Sequence, residues 1–326
     1  MDWTTSISVI LKEVTKMPET VHPFRVMVHK EISDQVRSWR FILLVILILL
    51  TSAGSIYTLL TVIRQHPVQL SAHSTFLYLE LFTKSTSNLP PFITLIGFLG
   101  PLVGIALGFD AVNSERRRGT LSRILSQPIP RDYFINSKFV GALAVIFLLI
   151  FALGFLVLGL GILVIGLPLT LGTVMRIIVF LLFTCVYIAF WLNLGITFSI
   201  TFRGASTSAL SVLAIWLFFT IFYSMLVNFV VNLTISNPYA AHYLGLALSR
   251  ISPNALYNEL TTILLTPSIR SIGAMSFAQR VGTIPSTLPL GQSMLLVWPD
   301  ITALIAATLI CFGVSYMLFM REEIRA

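Results

Sequence analysis

Apolar residues run almost unbroken through six stretches of this chain, and polar residues collect between them. The runs start at Phe41, Phe92, Phe139, Val174, Ala209 and Asp300 and end at about Ile63, Gly108, Ile165, Ile200, Val231 and Met320. An apolar helix needs roughly 20 residues to cross the hydrocarbon of a bilayer. The pattern therefore predicts an all-α integral membrane protein with six transmembrane helices. It divides the chain into a lead-in over residues 1–40 and a six-span domain over residues 41–326.

The lead-in is amphipathic. Ile7, Ile10, Leu11 and Val14 fall at helical spacing before Pro18. After Pro23, residues Phe24, Val28, Ile32 and Val36 recur every four positions, and Trp39 extends the stripe. Arg25, Lys30, Glu31, Asp34 and Arg37 take most of the remaining surface. Such a helix lies along a membrane interface with its basic side chains toward headgroups. A soluble helix packed on a partner has the same spacing.

Polar residues inside the runs refine this picture. The first span carries Thr51, Ser52, Ser55 and Thr58, hydroxyls of the kind found where membrane helices pack. The second carries Pro101 with Gly104 and Gly108, which predicts a kink. Glycines in the third suggest close packing, and Arg176 at the outer end of the fourth is expected to snorkel to headgroups. In the fifth, Thr220, Ser224, Asn228 and Asn232 repeat every four residues. Polar groups in hydrocarbon are costly unless paired or hydrated, so this stripe turns inward, as interhelical glue or as the lining of a pathway. Asp300 stands where it caps the sixth span.

Residues 64–91 form a polar far-side loop. His66, His73 and Glu80 recur there every seven residues, but no tight metal motif accompanies them. The outer segment, residues 233–293, is the largest polar interval. Its apolar patches around Tyr243–Ala247 and Leu256–Leu264 predict helices too short to span. Asn232-Leu233-Thr234 matches a glycosylation acceptor that abuts the membrane.

Composition agrees: 56% of residues are hydrophobic, 10% are charged and the mean hydropathy is +0.91. Soluble domains carry roughly 25% charged residues. The net charge of +8 invites a nucleic-acid reading, which the placement of the charges removes. Fifteen Lys and Arg fall on the side of the amino-terminal segment and six on the other. By the positive-inside bias, both termini are cytoplasmic in a multi-pass protein of the cell membrane. Cys185 and Cys311 lie in apolar runs and make no disulfide framework.

Motifs that would make the chain an enzyme are missing. There is no G-x-x-x-x-G-K-[ST], H-E-x-x-H, G-x-S-x-G, D-D-x-x-D or Cys/His cluster. Neither a catalytic residue nor a metal site is assigned. The spans hold almost no charge at mid-depth, which weakens a stand-alone secondary transporter or channel, the alternative reading, because ion-driven carriers keep ionisable residues there. A membrane-embedded transferase is a third reading and would look to Asp300 or Glu80.

What remains is the cytoplasmic stretch 109–138. It carries Arg116, Arg117, Arg118, Arg123, Arg131 and Lys138 against Asp110, Glu115 and Asp132. Leu121, Ile124 and Leu125 make a short apolar stripe, and Ser126-Gln127-Pro128-Ile129-Pro130 stops that helix. A short helix of this kind inserts into a groove on a partner or lies on the membrane surface.

The residues Phe109, Asp110, Glu115, Arg116, Gly119, Thr120, Leu121, Leu125, Ser126, Pro128, Arg131 and Lys138 form a pattern that resembles the type-2 permease family of ATP-binding-cassette (ABC) exporters. Ile251, Ser252, Pro253 and Tyr257 also resemble that family's outer segment. The first far-side loop and residues 266–293 are longer than the family pattern.

The resemblance implies an amphipathic elbow helix before the first span, short outer helices before the sixth, and a permease subunit that forms a translocation pathway. It implies two partners: a second permease chain, in a homo- or heterodimer, and a separate ATPase subunit that holds ATP and Mg, with no cofactor on this chain. Glu115, Arg116, Gly119, Thr120, Leu121, Ile124, Leu125 and Arg131 would couple to that ATPase, with Leu121–Leu125 as the coupling helix. Glu115 would fix the loop from a helix terminus or by pairing with Arg, and Gly119 would allow a tight bend. Thr220, Ser224 and Asn228 would line the pathway. The apolar spans with scattered hydroxyls and amides tilt the cargo toward an amphipathic molecule.

Overall fold

The computed structural model describes residues 22–39, 41–46, 49–50, 52–54, 57, 77–83, 90–166, 169–234, 237–266 and 289–321. These are helical and connected by short turns. In chain order the helices are α1 (Pro23–Val36), α2 (Leu77–Thr83), α3 (Phe92–Gly108), α4 (Asn113–Arg117), α5 (Thr120–Leu125), α6 (Arg131–Ile165) and α7 (Leu171–Thr201). There follow α8 (Ala205–Leu217), a π-helical turn (Phe218–Phe222), α9 (Tyr223–Thr234), α10 (Pro238–Ser249), α11 (Pro253–Leu265), α12 (Leu290–Leu296) and α13 (Trp298–Arg321). Among the described residues, five helical segments are long and apolar enough to cross a membrane. They coincide with the second to sixth sequence runs. The first run is described only in helical fragments between Phe41 and Tyr57. Residues 1–21, with Ile7, Ile10, Leu11 and Val14, lie outside the described residues, as do His66, His73 and residues 267–288.

The bundle is organised around α7, which packs against α3, α6, α8, α11 and α13. Lipid tails are as apolar as Leu, so close packing rather than the hydrophobic effect holds such helices together. Glycine supplies the closeness. Gly100, Gly104 and Gly108 form one stripe along α3, and added Cβ atoms at the last two would stand 2.6 Å from Ile188 O and 2.5 Å from Leu192 O of α7. Gly195 answers from α7, where an added Cβ would stand 3.1 Å from Gly108 Cα.

Pro101 sits inside α3, which runs from Phe92 to Gly108 around it. Proline has no N–H for the carbonyl four residues earlier, so Gly97 O loses its helical partner. Tyr187 of α7 approaches it, with its hydroxyl 3.0 Å from Gly97 O and 2.7 Å from Asn254 Oδ1. The hydroxyl's one proton is shared between the two acceptors, so a neighbouring helix compensates the missing bond in part.

Three expectations change. The interval 64–91 contains α2, whose Tyr78, Leu79 and Phe82 are buried. Phe82 packs edge-on to Phe92 and Phe180. These apolar residues share one helical face, which outweighs the polar average of the interval. Arg176 does not snorkel: it is buried, and its Nη1 donates to Leu264 O of α11 at 2.8 Å and to Ser293 Oγ of α12 at 3.2 Å. The third span begins earlier than its apolar run, because α6 starts at Arg131 directly after Pro130.

The outer helices form as their composition predicts. Pro238 and Pro253 open α10 and α11 at positions where a missing N–H costs nothing. Asn237 Oδ1 caps α10 by accepting from Tyr239 N at 3.0 Å. At 12 and 13 residues, both are too short to span. Arg250, between them, donates to Glu259 at 2.6 and 3.2 Å and lies 3.4 Å from Asp300 Oδ1, in the first turn of α13.

Candidate functional site

The stretch 109–138 folds into α4, α5 and the first two turns of α6. Ser199, near the end of α7, roots it: Ser199 Oγ accepts from Val112 N at 3.0 Å and Asn113 N at 3.2 Å. Arg116 Nη1 donates to Ile200 O at 3.1 Å, capping the carbonyl end of α7, where a positive charge is favoured. Arg117 Nη2 bonds both oxygens of Asp110 at 2.9 and 3.0 Å. Gly119, with φ +67°, turns the chain between α4 and α5; this left-handed conformation costs a non-glycine residue energy.

A buried ion cluster ties this loop to two other elements. Glu115 of α4, Lys138 of α6 and Glu31 of α1 are all buried. Lys138 Nζ stands 2.7 Å from Glu31 Oε2 and 3.2 Å from Glu115 Oε1. Lys30 Nζ, half exposed, reaches the same Glu115 oxygen at 3.0 Å. Thr120 Oγ1 donates to Glu115 Oε2, and Gln35 Nε2 donates to Glu31 Oε1 at 3.2 Å. The two buried acids face buried Lys138 and half-exposed Lys30, which also lies 3.8 Å from exposed Asp34, so neither buried carboxylate lacks a cation. Burial alone would lower the pKa of the Lys30 ammonium, but its hydrogen bond and charge contact with Glu115, with Asp34 and Glu31 nearby, raise it.

Glycine again permits the contact. A Cβ at Gly141 of α6 would stand 2.8 Å from Glu31 Cβ and Cγ, so α1 settles onto α6 where α6 has no side chain. Phe24 and Tyr133 add an edge-on aromatic pair, 5.6 Å between ring centroids.

The sequence-predicted coupling residues are placed as follows. Glu115 stands in the first turn of α4, and its partners are lysines, not arginines. Leu121 is 5% exposed and belongs to the core, and Ile124 packs partly against that core. The side chain of Leu125 lies outside those described. Arg117, Arg118, Gly119, Ser122 and Arg123 are exposed, as is Arg131 at the start of α6. The short helix therefore turns its apolar side home and shows a basic, polar side outward. Between α1 and α5 lies a cavity of about 280 Å³, floored by the ion cluster and walled by Met27, Ile124, Ile129 and Phe134.

Sequence reasoning missed the role of Glu31. Its signal was present: an acid directly beside Ile32, near the apolar stripe, needs a partner when the helix packs.

Thr220, Ser224 and Asn228 share a second cavity, of about 560 Å³, between the outer half of the fifth span and α10 and α11. Thr220 lies in the π-helical turn. Its hydroxyl donates to Trp216 O at 2.7 Å and accepts from Asn254 Nδ2 at 2.8 Å. Tyr187 OH lies 2.7 Å from Asn254 Oδ1, which joins this contact to the α3–α7 crossing. Thr220 is thus bonded to α11, whereas Ser224 and Asn228 are exposed along the cavity.

The described helices form an apolar bundle with a braced basic loop, α4 and α5, and two short helices, α10 and α11. Residues 25–324 match the family model described as ABC-2 family transporter protein, and the chain belongs to that family. Among curated proteins, it is 27% identical over 150 residues to "Probable ABC transporter permease protein NosY" of Pseudomonas aeruginosa, covering 44% of this chain and 52% of the relative. It is 35% identical over 60 residues to the protein of the same name from Stutzerimonas stutzeri, covering 18% of this chain and 22% of the relative. The chain thus spans about half or less of the length of these curated relatives.

Proposed function

We propose that this chain is the transmembrane subunit of an ABC exporter, driven by a separate ATPase subunit that binds ATP and Mg. One observation carries the reading: the basic loop is exposed on its outer side yet anchored, through Glu115, Lys138 and Glu31, to both α6 and α1. A loop that only set topology would need no buried anchor. A loop that receives a push needs one, because force passes only through a rigid path.

In this reading α5 is the coupling helix and α1 the elbow helix. Arg118, Ser122 and Arg123 meet the ATPase, and Leu121 roots the helix in the bundle. The chain has six spans, the first between Phe41 and about Ile63, with both termini cytoplasmic as the Lys and Arg bias indicates. A second permease chain completes the pathway. The chain supplies no catalytic step. Its cargo is amphipathic, a reading supported by the mixed polar and apolar cavity beside Ser224 and Asn228.

Co-expression with the products of neighbouring genes tests the reading. An ATPase subunit is expected to co-purify, and transport by the reconstituted complex is expected to be vanadate-sensitive. Vanadate-insensitive transport by the chain alone would replace this reading with a stand-alone transporter.

A further inference from the structure

We infer that the outer cavity between the fifth span and helices α10 and α11 is a binding site for an uncharged amphiphile with a hydrogen-bonding head, seated against Ser252, Asn228 and Asn258. The site deepens the export reading, but binding at it does not depend on that reading.

Four observations converge there. First, Ser252 lines the cavity and is 2% exposed, yet its Oγ has no hydrogen-bond partner. Ser252 holds the N-cap position of α11, where a serine ordinarily bonds a backbone N–H of the first turn; here its side chain makes no such bond. A buried, unpaired hydroxyl costs free energy unless something outside the chain satisfies it.

Second, Asn228 of α9 and Asn258 of α11 line the same space from opposite walls. Amide groups at the outer half of a membrane bundle also call for partners. Three side chains on two elements, α9 and α11, thus present donors and acceptors to one volume.

Third, the chemistry of the wall selects the ligand. Among the described residues the lining holds no Asp, Glu, Lys or Arg and one imidazole, His242, so no permanent counter-ion awaits a charged head. Val227, Val231 and Leu246 supply apolar wall, and Met225 and Phe229 on the neighbouring faces of α9 are exposed. A head lodged among the amides can trail an apolar chain along that surface. About 560 Å³ falls within the ordinary size of a small-molecule site.

Fourth, the π-helical turn Phe218–Phe222 interrupts the fifth span at the cavity's inner end, where Phe219 and Thr220 line it. Such turns occur frequently at functional sites. Here the turn is held by the Asn254 to Thr220 hydrogen bond, which fixes the cavity wall before any ligand arrives.

The test uses the chain with its ATPase subunit in phosphatidylcholine nanodiscs. The probe is a monoacylglycerol with a fluorophore at the end of its acyl chain. Saturable binding is expected, displaced by unlabelled monoacylglycerol but not by a tenfold excess of lysophosphatidylglycerol of the same chain length. The double variant Ser252→Val and Asn228→Leu is expected to weaken binding at least tenfold with its unfolding temperature unchanged. A Leu163→Ala variant, remote from the cavity, is expected to bind as wild type. Non-saturable binding, equal displacement by the anionic amphiphile, or wild-type affinity in the double variant would overturn the site. Addition of ATP separates cargo from resident lipid. Release of bound probe supports both the site and export. Saturable binding that ATP does not alter keeps the site and counts against its place on an export route.

Discussion

Gly141 and Glu31 meet so closely that a Cβ on the glycine would stand 2.8 Å from both Cβ and Cγ of the glutamate. This contact lets an acid on α1 reach down to Lys138 in the flank of α6. Overpacking such a contact typically costs about 1–3 kcal/mol. Gly141→Val is therefore expected to lift α1 from α6. Protease sensitivity within residues 23–36 should rise, and ATPase stimulation by the chain should fall. Gly141→Ala should do the same to a smaller degree. Equal protection of α1 in both variants and in wild type would show that the contact is incidental.

Lys138 serves two buried acids at once. Lys138→Met leaves Glu31 and Glu115 buried without it, and breaking a buried pair in this way costs about 3–5 kcal/mol. Glu115→Gln alone should cost less, because Lys138 keeps Glu31 and Lys30 reaches solvent. A double-mutant cycle in detergent unfolding is expected to show a coupling energy of about 1–3 kcal/mol between positions 115 and 138. Additive losses would mean that the two side chains do not act together.

The outward side of α5 is basic and exposed. Arg118→Glu with Arg123→Glu is expected to leave unfolding within about 0.5 kcal/mol of wild type, as surface changes usually do. Affinity for the ATPase subunit should drop at least tenfold. Pull-down and unfolding measured side by side check both halves. Leu121→Asp is a poorer probe, because a buried charge at that position unfolds the root of the helix as well.

Tyr187 shares its one hydroxyl proton between Asn254 Oδ1 and Gly97 O, the carbonyl that Pro101 leaves without its helical partner. Tyr187→Phe is expected to destabilise the bundle by about 1 kcal/mol, in keeping with interhelical hydrogen bonds in membranes. Pro101→Ala restores an N–H within reach of Gly97 O. In that background, Tyr187→Phe should cost markedly less, leaving only the lost contact with Asn254. The same cost in both backgrounds would separate the tyrosine from the proline.

The second to sixth spans and their order were legible from the apolar runs, because a segment in lipid must satisfy its own backbone and only a helix does so locally. The outer helices were legible for the same local reason, with Pro238 and Pro253 at their starts. The loop 109–138 could be picked out because its residue pattern is local too. What was not legible was where its side chains go. Leu121 and Ile124 read as a stripe for a partner, whereas Leu121 packs home. Arg176 read as a headgroup anchor, whereas it holds α11 and α12. Glu31 read as a solvated charge, whereas it is buried on Lys138, more than a hundred residues away.

The common reason is distance along the chain. Periodicity and composition report what neighbouring residues do together, so they set span positions, the charge bias and the short outer helices. The ion cluster joins residues 30, 31, 115 and 138, and the outer cavity joins residues 228, 252 and 258. Each becomes a site only when packing brings separate helices within a few ångströms. That approach depends on where glycines such as Gly108, Gly141 and Gly195 allow backbones to touch. No local pattern marks which glycine will face which partner, so the buried cluster and the cavity emerge only from the folded bundle.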